Sequence, residues 1–434
     1  MRTPYKHQRR GLAWMKDKSR VALFWEMRLG KTLTIILWIK ARKAKPVLVV
    51  CPLDVMETWL DELRLEGLEG EIRRGFSCKP TTAPWQLTSY ETLRGNVNLQ
   101  NYPWGAVILD ESTAIKNPKA KITKVCIQRF SEVPVKAILT GTPAPESILE
   151  YFPQMQFLNG SFLGYNNFWN FRSSLFSPDY FGWHWLPNKG TRSAILKGIR
   201  ECAHVLSRNQ VGLGNVEMKE TRRIKMPLKL RSIYRHAEER FTLRDQRTQW
   251  RPAVQTWLAR LAGGCHPLAM DDYKVDALLE LLRTDLSRQQ VVVWCCFNSE
   301  IDRLVAKLDD KKSCGIIRGS VKSSDRTKVN RAFQSGKLRI LFCQPKCAQH
   351  GRNFSAASAS VFFSLPWDLK SYLQAKDRIA HPNKKEPILT LHLVGRDTVD
   401  EDVLSALHNK RYKSISFKEA IGRNFMERVC PRNA

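Results

Sequence analysis

The sequence predicts an α/β protein of two tandem domains, each a mostly parallel sheet flanked by helices, with a helical insert between them. Three observations predict it. Short apolar runs alternate with helix-period segments over 21–156, a second such series occupies 273–410, and the stretch between them changes texture. In the first series the runs are VALFW (21–25), VLVVC (47–51), WQLTSY (85–90), AVILD (106–110) and KAILT (136–140). Runs this short, without polar alternation, suit strands buried on both faces, and segments such as 31–43 and 55–65 supply covering helices. In the second series the strand candidates are VVVWCCF (291–297), CGIIRG (314–319), LRILFC (338–343), SVFFS (360–364) and ILTLHLV (388–394). Helical segments at 273–286, 299–309, 325–335, 368–379 and 398–411 separate them. The expected domains are 1–156, 157–270 and 271–434.

The insert begins with ten aromatics in the 24 residues 162–185, then carries eleven Lys/Arg against four Asp/Glu over 219–251. The aromatics suit either a helical subdomain's core or stacking on bases, and the basic stretch either a solvated helix face or a surface that tracks phosphates. Over the whole chain, 71 Lys+Arg against 41 Asp+Glu leave a formal charge of +30. That excess makes polyanions the expected partners without naming a reaction. No apolar stretch approaches the roughly 18–20 residues that span a bilayer, and the basic N-terminus leads into no apolar signal region, which points to the cytoplasm. Eleven scattered cysteines read as reduced thiols, and Cys343, Cys347 and His350 lack the second pair that would assign a zinc site.

The strongest local signal is VALFWEMRLGKTLTIILWIK (21–40), a strand, a tight turn with Gly30-Lys31-Thr32, then a helix. Backbone amides of such a turn cradle phosphates, a lysine there reaches the β/γ oxygens, and the threonine hydroxyl ligates Mg²⁺. Trp25 stands where the strict phosphate-loop pattern has its first glycine. The partner signal is AVILDES (106–112), which delivers Asp110 to a strand's carboxyl end for Mg²⁺ and Glu111 beside it for the attacking water.

Together with further segments in order, these residues resemble the SWI/SNF-type DNA translocases of helicase superfamily 2. PYKHQRRGLAWM (4–15) is similar to that family's N-terminal adenine-reading motif, EMRLGKT (26–32) to motif I, VVCPL (49–53) to Ia and TSYETL (88–93) to Ib. DESTAIKN (110–117) resembles motif II and LTGTP (139–143) motif III; VVVWCCF with Asn298 resembles motif IV, and 347–382 motifs V and VI together. The segment 398–410 resembles the helix that closes the second lobe. The resemblance implies two RecA-like lobes with ATP between them and DNA across both. Carried over by position, Gln8 would contact adenine; Gly30, Lys31 and Thr32 would hold phosphates and Mg²⁺; Asp110 and Glu111 would bind Mg²⁺ and activate water. Thr140 and Thr142 would couple the two clefts, Gly351 would approach DNA or nucleotide, and Gln374 and Arg378 would reach the γ-phosphate. Pro52, Thr88, Ser89, Tyr90 and Trp367 would face nucleic acid.

Three departures stand out. Arg28 replaces a glycine of motif I, Trp25 replaces an acidic residue, and His381 occupies the place of a second motif VI arginine. A neutral imidazole is a poor substitute for an arginine finger, so slow hydrolysis is expected, with Arg352 or Lys384 as candidate substitutes. The resulting expectation is an ATP- and Mg²⁺-dependent translocase on double-stranded DNA, of phage or bacterial type, serving replication, recombination or repair, with single-stranded nucleic acid as the lesser partner. A strand-separating DNA or RNA helicase and a nearly hydrolysis-deficient ATP- and DNA-binding regulator are the alternatives.

Overall fold

The computed structural model describes residues 2–180, 185–206, 209–212, 217–243, 246–247, 251–348, 353–380 and 387–408. The chain divides into two compact units, 1–214 and 215–434. In the first, β1 (Arg20–Trp25), β2 (Val47–Cys51), β3 (Gly70–Ile72), β4 (Trp85–Ser89), β5 (Ala106–Asp110), β6 (Val135–Leu139) and β7 (Ala203–Leu206) form one sheet. Its order is β3-β4-β2-β5-β6-β1-β7, and every pairing is parallel.

Burial on both faces explains the apolar runs. From β1, Ala22 and Phe24 enter the core on one face, and Val21, Leu23 and Trp25 the core on the other. β5 divides in the same way, Val107 and Leu109 against Ala106 and Ile108. Helix Lys31–Arg42 follows β1 and buries Leu33, Thr34, Ile35, Ile36, Trp38 and Ile39. Because parallel strands all end on one edge, the segments after β1, β2, β4, β5 and β6 collect there, where open α/β sheets bind ligands.

The second unit repeats the plan with β8 (Glu217–Ile224), β9 (Val291–Trp294), β10 (Cys314–Ile317), β11 (Ile340–Cys343), β12 (Ala359–Phe362) and β13 (Ile388–Gly395). The order is β8-β13-β12-β9-β11-β10, again parallel throughout.

The expected separate insert at 157–270 is divided between the two units. β7 pairs with β1 in the first sheet, and β8 pairs with β13 from Glu217↔Ile388 to Ile224↔Gly395 in the second. An edge strand tolerates a polar sequence such as EMKETRRI, so its composition hid it. Of the aromatics, Phe162, Phe171 and Phe176 are core residues of the first unit, while Trp169 is 43% exposed. The Arg172 guanidinium lies 3.9 Å from the Trp185 ring centre and 4.8 Å from that of Trp169. In the basic stretch, Arg222, Arg223 and Arg231 pair with Asp285, Glu401 and Asp397 of the same unit. The ten described cysteines are free thiols, and no described helix is long and apolar enough to cross a membrane.

Candidate nucleotide and nucleic-acid site

Between β1 and helix Lys31–Arg42 the backbone turns left-handed twice, at Arg28 (φ 67°) and Gly30 (φ 70°). Gly30 needs its missing side chain: a Cβ there would sit 2.3 Å from Gln8 Nε2. Gln8 is buried and ties the loop to the N-terminal helix, Lys6–Met15. Its Nε2 donates to the Gly30 carbonyl (3.1 Å) and its Oε1 accepts from the Tyr5 amide (2.8 Å). His7 Nε2 donates to the Leu29 carbonyl at 3.0 Å. Gln8 thus braces the loop after β1, a role its motif position did not disclose.

Arg28 holds a left-handed conformation at the place where the resembled motif commonly has a glycine. A non-glycine residue there costs about 1–2 kcal/mol, partly offset by the stiffer unfolded chain. Arg28→Gly is therefore expected to leave ATP hydrolysis unchanged and to raise the thermal unfolding midpoint by about 1–3 °C. A lower midpoint would show that the Arg28 side chain contributes more than its backbone costs.

Lys31 opens the helix and folds back over the end of β1. Its Nζ donates to the carbonyls of Trp25 (2.9 Å) and Glu26 (3.2 Å). Thr32 occupies the same first helical turn, half-buried. Asp110 ends β5, with Trp59 Nε1 donating to its Oδ2 (2.8 Å) and the Glu111 amide to its Oδ1 (3.0 Å). Burial pushes its pKa from 3.8 up to about 6; the Trp59 hydrogen bond opposes this, the Glu111 charge adds to it, and the Lys31 charge opposes it. A desolvated carboxylate served by neutral N–H donors suits a divalent cation, so Asp110, with Thr32, fits the Mg²⁺ expected with ATP. Glu111 follows at φ 59°, another left-handed non-glycine residue, and strain of this kind is held only where surroundings enforce it.

The third loop follows β6. Thr140 is buried and its Oγ1 accepts from the Thr142 amide (3.1 Å). A Cβ on Gly141 would lie 3.4 Å from the Trp25 carbonyl oxygen and the Met27 nitrogen, so this loop rests on the loop after β1. The structure therefore brings Gln8, Gly30, Lys31, Thr32, Asp110, Glu111, Thr140 and Thr142 to one edge of the first sheet.

Of the nucleic-acid candidates, Thr88, Ser89 and Tyr90 have side-chain partners within the protein. Thr88 is fully buried and donates to the Arg73 carbonyl (3.1 Å). Ser89, also buried, caps helix Tyr90–Gly95 by accepting from the Thr92 amide (3.1 Å). Tyr90 donates its hydroxyl to the Asp110 carbonyl (2.8 Å). These side chains bond within the protein itself, because β4 is covered on both faces and Tyr90 already opens the next helix. Pro52 precedes the short turn Leu53–Val55 and remains half-buried.

In the second unit Gln374 is buried within helix Leu369–Asp377, and Arg378 ends that helix. The Arg378 carbonyl accepts from the Phe354 amide (2.9 Å). Trp367 packs half-buried against that unit's core. Gly351, Arg352, His381, Lys384 and His350 lie outside the described residues.

Residues 7–208 match the SNF2-related domain, and residues 273–383 the helicase conserved C-terminal domain. The chain carries an SNF2-related domain followed by a helicase conserved C-terminal domain. The first family domain runs through β7, consistent with that strand's place in the first sheet. Among curated relatives of this SNF2-related chain, a SWI/SNF-related regulator of chromatin subfamily A-like protein 1 from Drosophila melanogaster is 24% identical over 91% of this chain and 53% of its own length. Protein p41 of Acyrthosiphon pisum secondary endosymbiont phage 1 is 25% identical over 97% of this chain and 99% of its own. The chain thus spans about half of the Drosophila relative and nearly all of the phage one. A solved Sulfolobus solfataricus SWI2/SNF2 ATPase core in complex with dsDNA is similar over 100% of this chain and 98% of its own, with 20% identity and a TM-score of 0.46.

One residue the sequence reading missed is Gln154, in helix Tyr151–Asn159. It is fully buried between the loops after β5 and β6. Two amides, Gln154 and Gln156, interrupt the apolar run YFPQMQF, and that interruption was the available signal.

Proposed function

We propose that this SNF2-related chain is an ATP-dependent translocase on double-stranded DNA, acting in replication, recombination or repair. The observation that supports it most is the convergence of the Lys31 loop and the Asp110–Glu111 pair at the carboxyl edge of one parallel sheet. Lys31 and the helix N-terminus would bind the phosphates, and Asp110 and Thr32 would hold Mg²⁺, which supplies charge neutralisation when bound. Glu111 would orient and deprotonate the attacking water. Gln374 and Arg378 would complete the γ-phosphate site, and Thr140, Thr142 and Gly351 would link hydrolysis to DNA movement. The large positive charge supports sequence-independent backbone contacts, although Lys136 and Lys274 are buried and cannot contribute.

The test is steady-state phosphate release with no nucleic acid, duplex DNA, single strands and RNA, run beside displacement of a third strand from a triplex. Duplex DNA is expected to stimulate release most, and the third strand to leave while the duplex stays paired. Binding should fall by about 10³–10⁵ between roughly 50 and 200 mM salt, as for six to ten phosphate contacts. Equal release in all four conditions, or liberation of single strands from the duplex, would overturn the proposal.

A further inference from the structure

Three loops must keep fixed distances for hydrolysis to be coupled to anything else, and two of them are joined through one side chain. Gln154 Oε1 accepts from Ser112 Oγ at 2.7 Å, while its Nε2 donates to the carbonyls of Pro143 (2.6 Å) and Glu150 (2.8 Å). Ser112 follows Glu111, whose left-handed backbone needs outside support, and Pro143 follows Thr142 directly. A second tie runs parallel: Lys116 Nζ lies 2.8 Å from Glu150 and 3.4 Å from Glu146. The bond to Glu150 lies within one turn of the helix; the bonds to Ser112 and Pro143 bridge separate segments. With Gly141 seated on the loop after β1, all three loops at the sheet edge form one connected assembly.

We infer that Gln154 is a positioning residue that sets Glu111 against the Thr140–Thr142 loop, so that water activation and the state of that loop change together. Its kinetic consequence rests on the ATPase reading above; its structural consequence does not. An apolar side chain of similar size would fill the same space and release both loops.

Gln154→Leu is expected to lower kcat in saturating ATP and duplex DNA about tenfold, within the range that small misplacements of reacting groups produce, with the KM for ATP within about twofold. Ser112→Ala removes only the first bond and should lower kcat about threefold, and the double variant should be no slower than Gln154→Leu, since the two act through one contact. Amide hydrogen exchange should quicken over both 111–116 and 141–147 in Gln154→Leu, with or without ATP turnover. A folded variant with unchanged kcat, a parallel loss of ATP affinity, or faster exchange at one loop only would overturn the inference. Should Gln154→Leu fail to fold, Ser112→Ala carries the kinetic readout, and its exchange should quicken over 111–116 alone because both carbonyl bonds remain; unchanged kcat and unchanged exchange there would overturn the inference. A wild type without ATPase activity would sink the functional reading instead, and the exchange experiment would still decide the coupling.

Discussion

Glu111→Gln will lower the rate of phosphate release about 10³-fold, or about 4 kcal/mol in transition-state stabilisation, while ATP remains bound. The amide has the shape of the carboxylate, so the left-handed turn at φ 59° and the Ser112–Gln154 contact next to it should persist. What disappears is the group that can take a proton from water. A second consequence concerns Asp110, whose pKa the Glu111 charge helps to raise. Without that charge the neighbouring carboxyl ionises more readily, so Mg²⁺-dependent ATP binding should hold or tighten. Single-turnover phosphate release beside equilibrium titration with a fluorescent ATP analogue separates the two effects. Release within tenfold of wild type would remove Glu111 from the chemistry, and a large loss of affinity would make it a ground-state ligand.

The sequence disclosed those parts of the fold whose chemistry is local. β1, β2, β5 and β6 were legible because strands covered on both faces must be apolar throughout. β3 was not, since its three residues Gly70–Ile72 are partly exposed and form no run. β8 was hidden by charge that an edge strand can carry. The same division holds at the site. Gly30, Lys31, Asp110 and Glu111 were readable because a turn and a strand end place them by short-range geometry. Thr88, Ser89 and Tyr90 are nucleic-acid candidates by motif position, and the sequence did not disclose that their side chains bond to Arg73, Thr92 and Asp110. Which way a side chain turns at a strand end depends on strands far away in sequence. Gln154 is the clearest case, for its contacts lie 42 and 11 residues away. Arg28 shows the converse: the backbone keeps the conformation that favours glycine even where glycine is absent.

Lys31→Ala should weaken ATP binding about 100-fold or more and abolish measurable turnover. An ammonium in a charge-assisted hydrogen bond contributes about 1.5–3 kcal/mol, and a phosphate-loop lysine makes such bonds to more than one oxygen. Here the ammonium is already in place, held by the Trp25 and Glu26 carbonyls at the end of β1. Little rearrangement is needed to exchange a carbonyl for a phosphate oxygen, so binding retains most of what the contact offers. The loss also reaches Asp110, because Lys31 is among the groups that hold its pKa down; without it the carboxyl is harder to ionise and less ready for Mg²⁺. Both effects act in the same direction, which is why the penalty should exceed that of a single missing bond. Saturating ligand stabilises a protein by RT ln(1 + [L]/Kd), so at about 100 times the wild-type Kd, ATP with Mg²⁺ should add roughly 2.7 kcal/mol to the wild type and less than about 0.5 kcal/mol to the variant. Thermal unfolding with and without the nucleotide reads this directly. Equal protection of both proteins would show that the phosphates do not sit at Lys31, and the loop after β1 would lose its assigned role.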